Sequence, residues 1–445
     1  MIDREFMTRF SVLGMLISLF SVLIPMEAQA VPAFARQTSM PCTACHFQNF
    51  PTLNSFGRAF RSGGYTLTGG QGMIEGDDIS LPLMLNASVI TKLRYAKTNG
   101  NTNEGTDFGE IQWPDEAALL IGGKLSKNAG FLMELGLLGA TEGDVETDVT
   151  GTADLGTGAV TGTGTGSSSG ESNSFLSTKV HFNVGKAGNT QFSVIPFSTD
   201  GLGSAYGFEL LNTGAQRSQR PIEDRRGFSA AQTLGLGSGE ATGIALVASS
   251  HNYFINYTPW VPGWGGTNMN VKPSGLAHYF RAAYTPFIGS WDTGIGVQLW
   301  SGDAEVADGE GGETRLVTDG WIIDGQLQGS VGSMPLGVYA SYGECTADPD
   351  HHLGDCDNAE DAKAFGILGQ LGLVPNKFNV FAAYRAKDVG TATESDFDSS
   401  TVGGKYLLSQ NVVLELFYVK ESGSGVDART NERDSTWMLQ LFAGY

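Results

Sequence analysis

The sequence has little positive charge, little proline and almost no cysteine, and each shortage narrows what the chain can be. Lys and Arg total 27 against 47 Asp and Glu, a formal net charge of -20. That balance argues against a nucleic-acid partner, because binding phosphates relies on cations that displace counterions. No nucleic acid is expected. Proline is sparse at 15 while glycine stands at 62 of 445 residues, which suits many strands and loops better than helical bundles. After residue 30 no apolar run approaches the ~20 residues of a spanning helix. Membrane residence would then require a closed barrel, the other arrangement that pairs every backbone group in lipid. Proton-transfer dyads, activated nucleophiles and phosphate-binding loops are also missing, so no catalytic acid or base is expected.

What is present begins with an export signal. Arg4 and Arg9 precede an apolar stretch from Phe10 to Leu23, and Ala28-Gln29-Ala30 reads as a small-residue cleavage site. Residues 1–30 are expected to be a signal peptide; the alternative, a membrane anchor, has too short an apolar run. From about residue 81 to 445 apolar and polar residues alternate. Phe131, Met133, Leu135 and Leu137 oppose Glu134; Thr178, Val180, Phe182 and Val184 oppose Lys179, His181 and Asn183; Leu414, Leu416 and Tyr418 oppose Glu415. A period of two means strands.

A soluble sandwich alternates too, so the connections carry the argument. Short links are read at Lys127-Asn128-Ala129, Lys186 to Asn189, Gly237-Ser238-Gly239, Ile288-Gly289-Ser290, Gly332-Ser333-Met334, Pro375-Asn376-Lys377 and Ser409-Gln410-Asn411, with longer links between them. Alternation of short turns with long loops is the habit of outer-membrane barrels. The fold class expected is all-β: a transmembrane antiparallel β-barrel of about sixteen strands, closed by a last strand in which Trp437, Leu439, Leu441, Ala443 and Tyr445 share one face. Thr141 to Asn173 reads as a low-complexity external loop. Gly302 to Glu313, Glu344 to Asp361 and Asp388 to Asp398 carry acids without Lys or Arg, and Asp200 to Gly227 mixes both signs; an acidic rim would gather cations.

The four cysteines fall into two pairs. Cys345 and Cys356 lie in one acidic segment, where an exported protein would close a loop with a disulfide; the alternative is a metal site with His351 and His352. Cys42-Thr43-Ala44-Cys45-His46 is a C-x-x-C-H motif, the signature of a haem c held by two thioethers with His46 as proximal iron ligand. Its rivals are a redox dithiol, which needs a βαβ context, and a zinc site, which needs a second ligand pair nearby. The opposite axial position is open to Met73, the first Met downstream, and to His181; Met40 stands too close to Cys42. Residues 31–80 form a segment too short for a self-sufficient cytochrome, so barrel walls would have to supply its missing packing, with Phe34, Phe47, Phe50 and Phe56 as candidates to surround the porphyrin.

The run from Val31 to Thr38, then Pro41-Cys42-Thr43-Ala44-Cys45-His46-Phe47, then Phe50-Pro51, Leu53-Asn54, Phe56-Gly57-Arg58, Phe60 and Gly63-Gly64-Tyr65 resembles the fused monohaem cytochrome-porins of iron-oxidising bacteria. The resemblance implies a single haem c plug, residues 31–80, fused to an outer-membrane barrel, residues 81–445. It implies an iron:cytochrome c oxidoreductase by outer-sphere transfer. Extracellular Fe(II) would give its electron through the haem to a soluble periplasmic c-type cytochrome, within outer-membrane lipid. Electron export to an external acceptor uses the same scaffold in reverse. A diffusion porin with a structural haem plug is the reading from a different class, in which Lys92, Arg94 and Lys179 would line the pore.

Overall fold

The computed structural model describes residues 33–445 except 78, 101–104, 139–175, 216–228, 264–274, 308–312, 350, 351, 353, 355, 357, 430 and 431. The expected signal peptide, the low-complexity loop within 141–173 and His351 lie outside the described residues. Sixteen antiparallel strands close into a barrel. They are β1 Ala87–Thr98, β2 Glu110–Ser126, β3 Ala129–Leu138, β4 Leu176–Ala187, β5 Thr190–Thr199, β6 Ala241–Ser249, β7 Tyr253–Val261 and β8 Ala277–Tyr284. The second half comprises β9 Trp291–Ser301, β10 Gly320–Val331, β11 Met334–Cys345, β12 Ala362–Val374, β13 Phe378–Asp388, β14 Asp398–Ser409, β15 Val412–Ser422 and β16 Ser435–Gly444. The seam is antiparallel pairing of β16 with β1, continued where Val89 and Tyr445 exchange backbone bonds of 3.1 and 2.8 Å. No unpaired edge remains in the barrel, which is what lipid demands of a sheet.

The alternation read from the sequence is inside-out. On β1 Val89 and Tyr95 are exposed while Lys92 and Arg94 are buried; on β15 Leu414 and Leu416 are exposed while Glu415 is buried. Apolar side chains face outward and charged ones face the lumen, the arrangement of a barrel solvated by lipid. The inward charges pair across neighbouring strands, Arg94 with Asp115 at 3.1 Å, Lys92 with Glu116 and Lys405 with Glu415 at 4.0 Å, and across one intervening strand, Arg385 with Glu421 at 4.0 Å. The fold is that of a bacterial outer-membrane barrel.

Two expectations about connections are corrected. Gly237-Ser238-Gly239 does not join adjacent strands; the short turn lies between β6 and β7, at residues 250–252, where Ser250 N–H donates to the Tyr253 carbonyl. The glycines serve a close approach instead: Gly237 has φ 59° and lies against the Trp300 indole and Ser204, where no side chain fits. The segment from Asp200 is also not an outer loop throughout. Residues 203–214 fold into the barrel and are buried. The Arg281 guanidinium on β8 grips Glu209 of this inward loop at 2.9 Å and Asp324 on β10, all three almost wholly buried. Glu209 also accepts from the Leu210 and Leu211 amides at 2.9 and 2.8 Å, so the carboxylate is satisfied from both sides.

Ahead of β1 the described residues form three short helices, α1 Ala33–Thr38, α2 Cys42–Cys45 and α3 Ser55–Ser62, then a small hairpin of Met73–Glu75 with Ser80–Pro82. The barrel begins at Ala87, a few residues beyond the boundary expected at 81. Val31–Tyr445 is one compact unit, so the helical segment is a plug packed on the barrel and not an independent domain.

Candidate functional site

The plug is held by the wall nearly all the way round. Arg58 on α3 pairs with Asp292 of β9 at 2.6 Å, both buried. Gln328 of β10 donates to the Leu53 carbonyl at 3.0 Å, and Asn183 of β4 donates to the Gly63 carbonyl at 3.0 Å. Gln37 on α1 donates to the carbonyls of Tyr65 and Leu67 and accepts from the Lys124 amide at 3.1 Å. Phe34 stacks on Tyr65 at 4.9 Å and packs on Gly122 of β2, where a side chain would collide with its ring. Phe50 stacks on Phe442 of β16 at 5.3 Å within an apolar cluster of Ile90, Ala118, Leu407 and Val413. Phe47 lies close to Gly337 of β11. Phe34, Phe47 and Phe50 thus pack the plug into the barrel, whereas Phe56 is exposed.

Within this setting the C-x-x-C-H motif takes one helical turn. Pro41 is the N-cap of α2, as its fixed φ suits an extended cap residue. The His46 N–H donates to the Cys42 carbonyl at 2.9 Å and ends the turn. Cys42 and Cys45, three apart, therefore share one side of the helix. Both are half-buried and free, in contrast to Cys345 and Cys356, which form a disulfide at the mouth of the loop after β11. That bond leaves no thiols there for a metal.

Asn54 and Gly57 hold the motif in place. The Asn54 side chain caps α3 by accepting from the Gly57 amide at 2.9 Å, and its Nδ2 donates to the Ala44 carbonyl at 3.0 Å. A Cβ at Gly57 would run into the Cys45 carbonyl oxygen, so glycine is what lets α3 lie directly on α2. His46 continues into an antiparallel bridge with Leu53. Leu53 is gripped by Asn212 of the inward loop, which accepts from its N–H at 2.8 Å and donates to its carbonyl at 2.9 Å, while Gln326 holds Asn212 at 2.9 and 3.0 Å. Barrel wall, inward loop and His46 form one hydrogen-bonded chain.

The electrostatics favour a neutral imidazole and protonated thiols. Burial drops His46 to about 4, against the opposing pull of the Thr52 and Pro51 backbone. Its ring stands edge-on to Phe50 at 5.4 Å, and Nδ1 is buried without a hydrogen-bond partner. Burial pushes both Cys42 and Cys45 thiols up, the reverse of what a redox dithiol needs. These residues fit a haem c: two free sulfurs on one face of a turn, a neutral imidazole directly after them, and an aromatic wall beside the ring.

No described contact joins either distal candidate to the motif. Met73 is on the small hairpin, in register with Pro82. His181 lies on β4 beside Gly64, two residues beyond the end of α3, while Gly57 near its start touches Cys45. Asn54 carried a sequence signal, an Asn immediately before a helical run. Asn212, Asp292, Gln328 and Phe442 carried none, since the inward loop and strands far away in sequence supply them.

The sequence matches no protein-family profile and no curated protein. Among solved structures it is similar to OmpT of Vibrio cholerae, at 12% identity over 84% of this chain and 99% of that one, with a TM-score of 0.42. It is also similar to a mutant of the Rh. blastica porin, at 10% identity over 81% and 100% with a TM-score of 0.45. A third likeness is to the outer-membrane channel DcaP of Acinetobacter baumannii, at 12% identity over 81% and 97% with a TM-score of 0.45.

Proposed function

We propose that the chain is an outer-membrane cytochrome that oxidises extracellular Fe(II) and passes the electron to a soluble periplasmic c-type cytochrome, with haem c joined to Cys42 and Cys45 and His46 as its proximal ligand. The observation that carries the haem assignment is the partnerless, buried Nδ1 of a neutral His46 immediately after two free thiols on one turn. Bound there, haem c supplies a one-electron couple inside an insulating layer roughly 30 Å thick. The chain's own residues do the rest. Asn54 and Gly57 fix the angle between α2 and α3; Asn212 and Gln328 fix Leu53 and through it His46; Phe50 and the cluster around Phe442 exclude water from one side of the ring. Outer-sphere transfer asks nothing more of side chains than position and a dry surround. Met73 is kept as the distal candidate, which would have to reach the iron from the hairpin.

A diffusion porin is less well supported, because the plug meets the wall at β2, β4, β9, β10 and β16 and the inward loop fills further lumen. The test is the visible spectrum of the outer-membrane fraction before and after Fe(II) is added. Sharp reduced c-type bands appearing with Fe(II) are expected. A mature protein whose mass lacks haem sinks the proposal.

A further inference from the structure

Plug, inward loop and wall meet at a second cluster that the function proposed above leaves unused. On β4, Lys179 and His181 point into the lumen and are each 2% exposed. The Lys179 Nζ donates to the Tyr206 carbonyl of the inward loop at 2.8 Å and stands 4.1 Å from the centre of the Tyr206 ring. His181 packs edge-on between Tyr65 of the plug, at 6.5 Å, and Phe208 of the loop, at 6.2 Å. The charges that act on Lys179 are Arg61 from α3 and Glu134 from β3. Arg61 also acts on both His181 and Tyr206, and Asp200, which accepts from Ser177 at 3.1 Å, is the next acid out. Among the described residues, Arg61 and Lys179 are the cations of this cluster and Glu134 and Asp200 its acids.

Two polar atoms in this cluster have no partner, His181 Nε2 and Tyr206 Oη. Tyr206 is 1% exposed. A buried donor left unmade costs about 1–3 kcal/mol, and native proteins leave few of them without a ligand or a water. Here the two come from different elements and share the neighbourhood of Arg61 and Lys179. We infer that this cluster binds a carboxylate or similar small oxyanion, held by the Tyr206 hydroxyl, His181 Nε2 and the Arg61 and Lys179 side chains. Two sources share that chemistry. One is the pair of carboxylates that haem c carries, a source that rests on the proposed function; α3 connects the two places, with Gly57 against Cys45 near its start and Gly64, just past its end, against His181. The other is a dissolved anion.

The arms of the experiment separate them. Full-length protein with haem is compared with its Lys179→Met and His181→Phe variants by resonance Raman, in the band of the haem carboxylate side chains. In parallel, a Cys42→Ser/Cys45→Ser form without covalent haem is titrated with sodium acetate, with and without Lys179→Met. Heat-modifiable gel migration checks that each barrel is folded; if Lys179→Met is not, His181→Phe carries both arms. A Raman shift in the folded cluster variants assigns the cluster to haem carboxylates. An unshifted band with saturable acetate binding, weakened roughly tenfold by Lys179→Met, assigns it to a dissolved anion. An unshifted band with no acetate binding overturns the inference. If the native protein contains no haem, the proposed function fails, and the acetate arm alone decides the cluster.

Discussion

Asn54 illustrates how much of the site depends on single side chains with modest chemistry. Its oxygen ends the run of unmade N–H groups at the start of α3, and its nitrogen ties down the last carbonyls of α2. Removing an N-cap oxygen costs about 1 kcal/mol, and here the same change releases the turn that bears Cys42 and Cys45. Asn54→Ala should therefore speed amide exchange at Gly57 and Arg58 roughly fivefold, the factor that about 1 kcal/mol gives, with barrel amides unchanged. Unchanged exchange over α3 would show that the wall contacts alone hold it. Gly57→Ala tests the neighbouring contact. The added methyl meets a backbone carbonyl, which cannot rotate away as a side-chain tip would. On the proposed function, Gly57→Ala should lower covalent haem yield on denaturing gels relative to Ser62→Ala, a change at the half-buried far end of the same helix.

Among the elements, the inward loop is where sequence and structure diverge most. Its segment looks like any polar outer loop, because the feature that draws it inside lies elsewhere in the chain: Arg281 on β8 and Asp324 on β10 present a guanidinium and a carboxylate that Glu209 completes. Nothing local to residues 203–214 reveals such a partner. The C-x-x-C-H motif, by contrast, is visible as a motif because it is confined to five consecutive residues, and the strands were legible because period two is a local pattern. The same logic explains why Gly237-Ser238-Gly239 misled: a glycine pair signals positive φ, and positive φ serves a close approach as well as a turn. Removing Arg281 leaves two buried carboxylates facing one another. Breaking a buried ion pair costs about 3–5 kcal/mol, so Arg281→Met should lower the temperature at which the barrel loses its heat-modifiable gel migration and should expose the 203–214 segment to protease. A loop that stays resistant in that variant would mean that Asn256, Gln326 and Trp300, which also bond to it, are sufficient.

At the scale of the whole molecule, the barrel and its contents make one argument. Sixteen strands would enclose a water-filled channel if nothing lay inside. Here the helical plug spans the end with the short turns, bonded to opposite walls through Arg58 and Asp292 on one side and Phe50 and Phe442 on another, and the inward loop is clamped by Arg281. Glycines at 122, 130 and 337 give the plug room where a side chain would collide, so the wall is shaped for its occupant. Solutes should therefore not pass. Full-length protein in liposomes should give sugar-driven swelling no faster than protein-free vesicles, whereas deletion of residues 33–80 should open a conductance of porin size in planar bilayers. The contrast matters more than either value: if the intact protein already swells liposomes at the rate of the deletion form, the plug does not seal the lumen, and the diffusion-pore reading displaces electron transfer. If neither form conducts, the inward loop alone closes the barrel, and adding Arg281→Met to the deletion should restore the current.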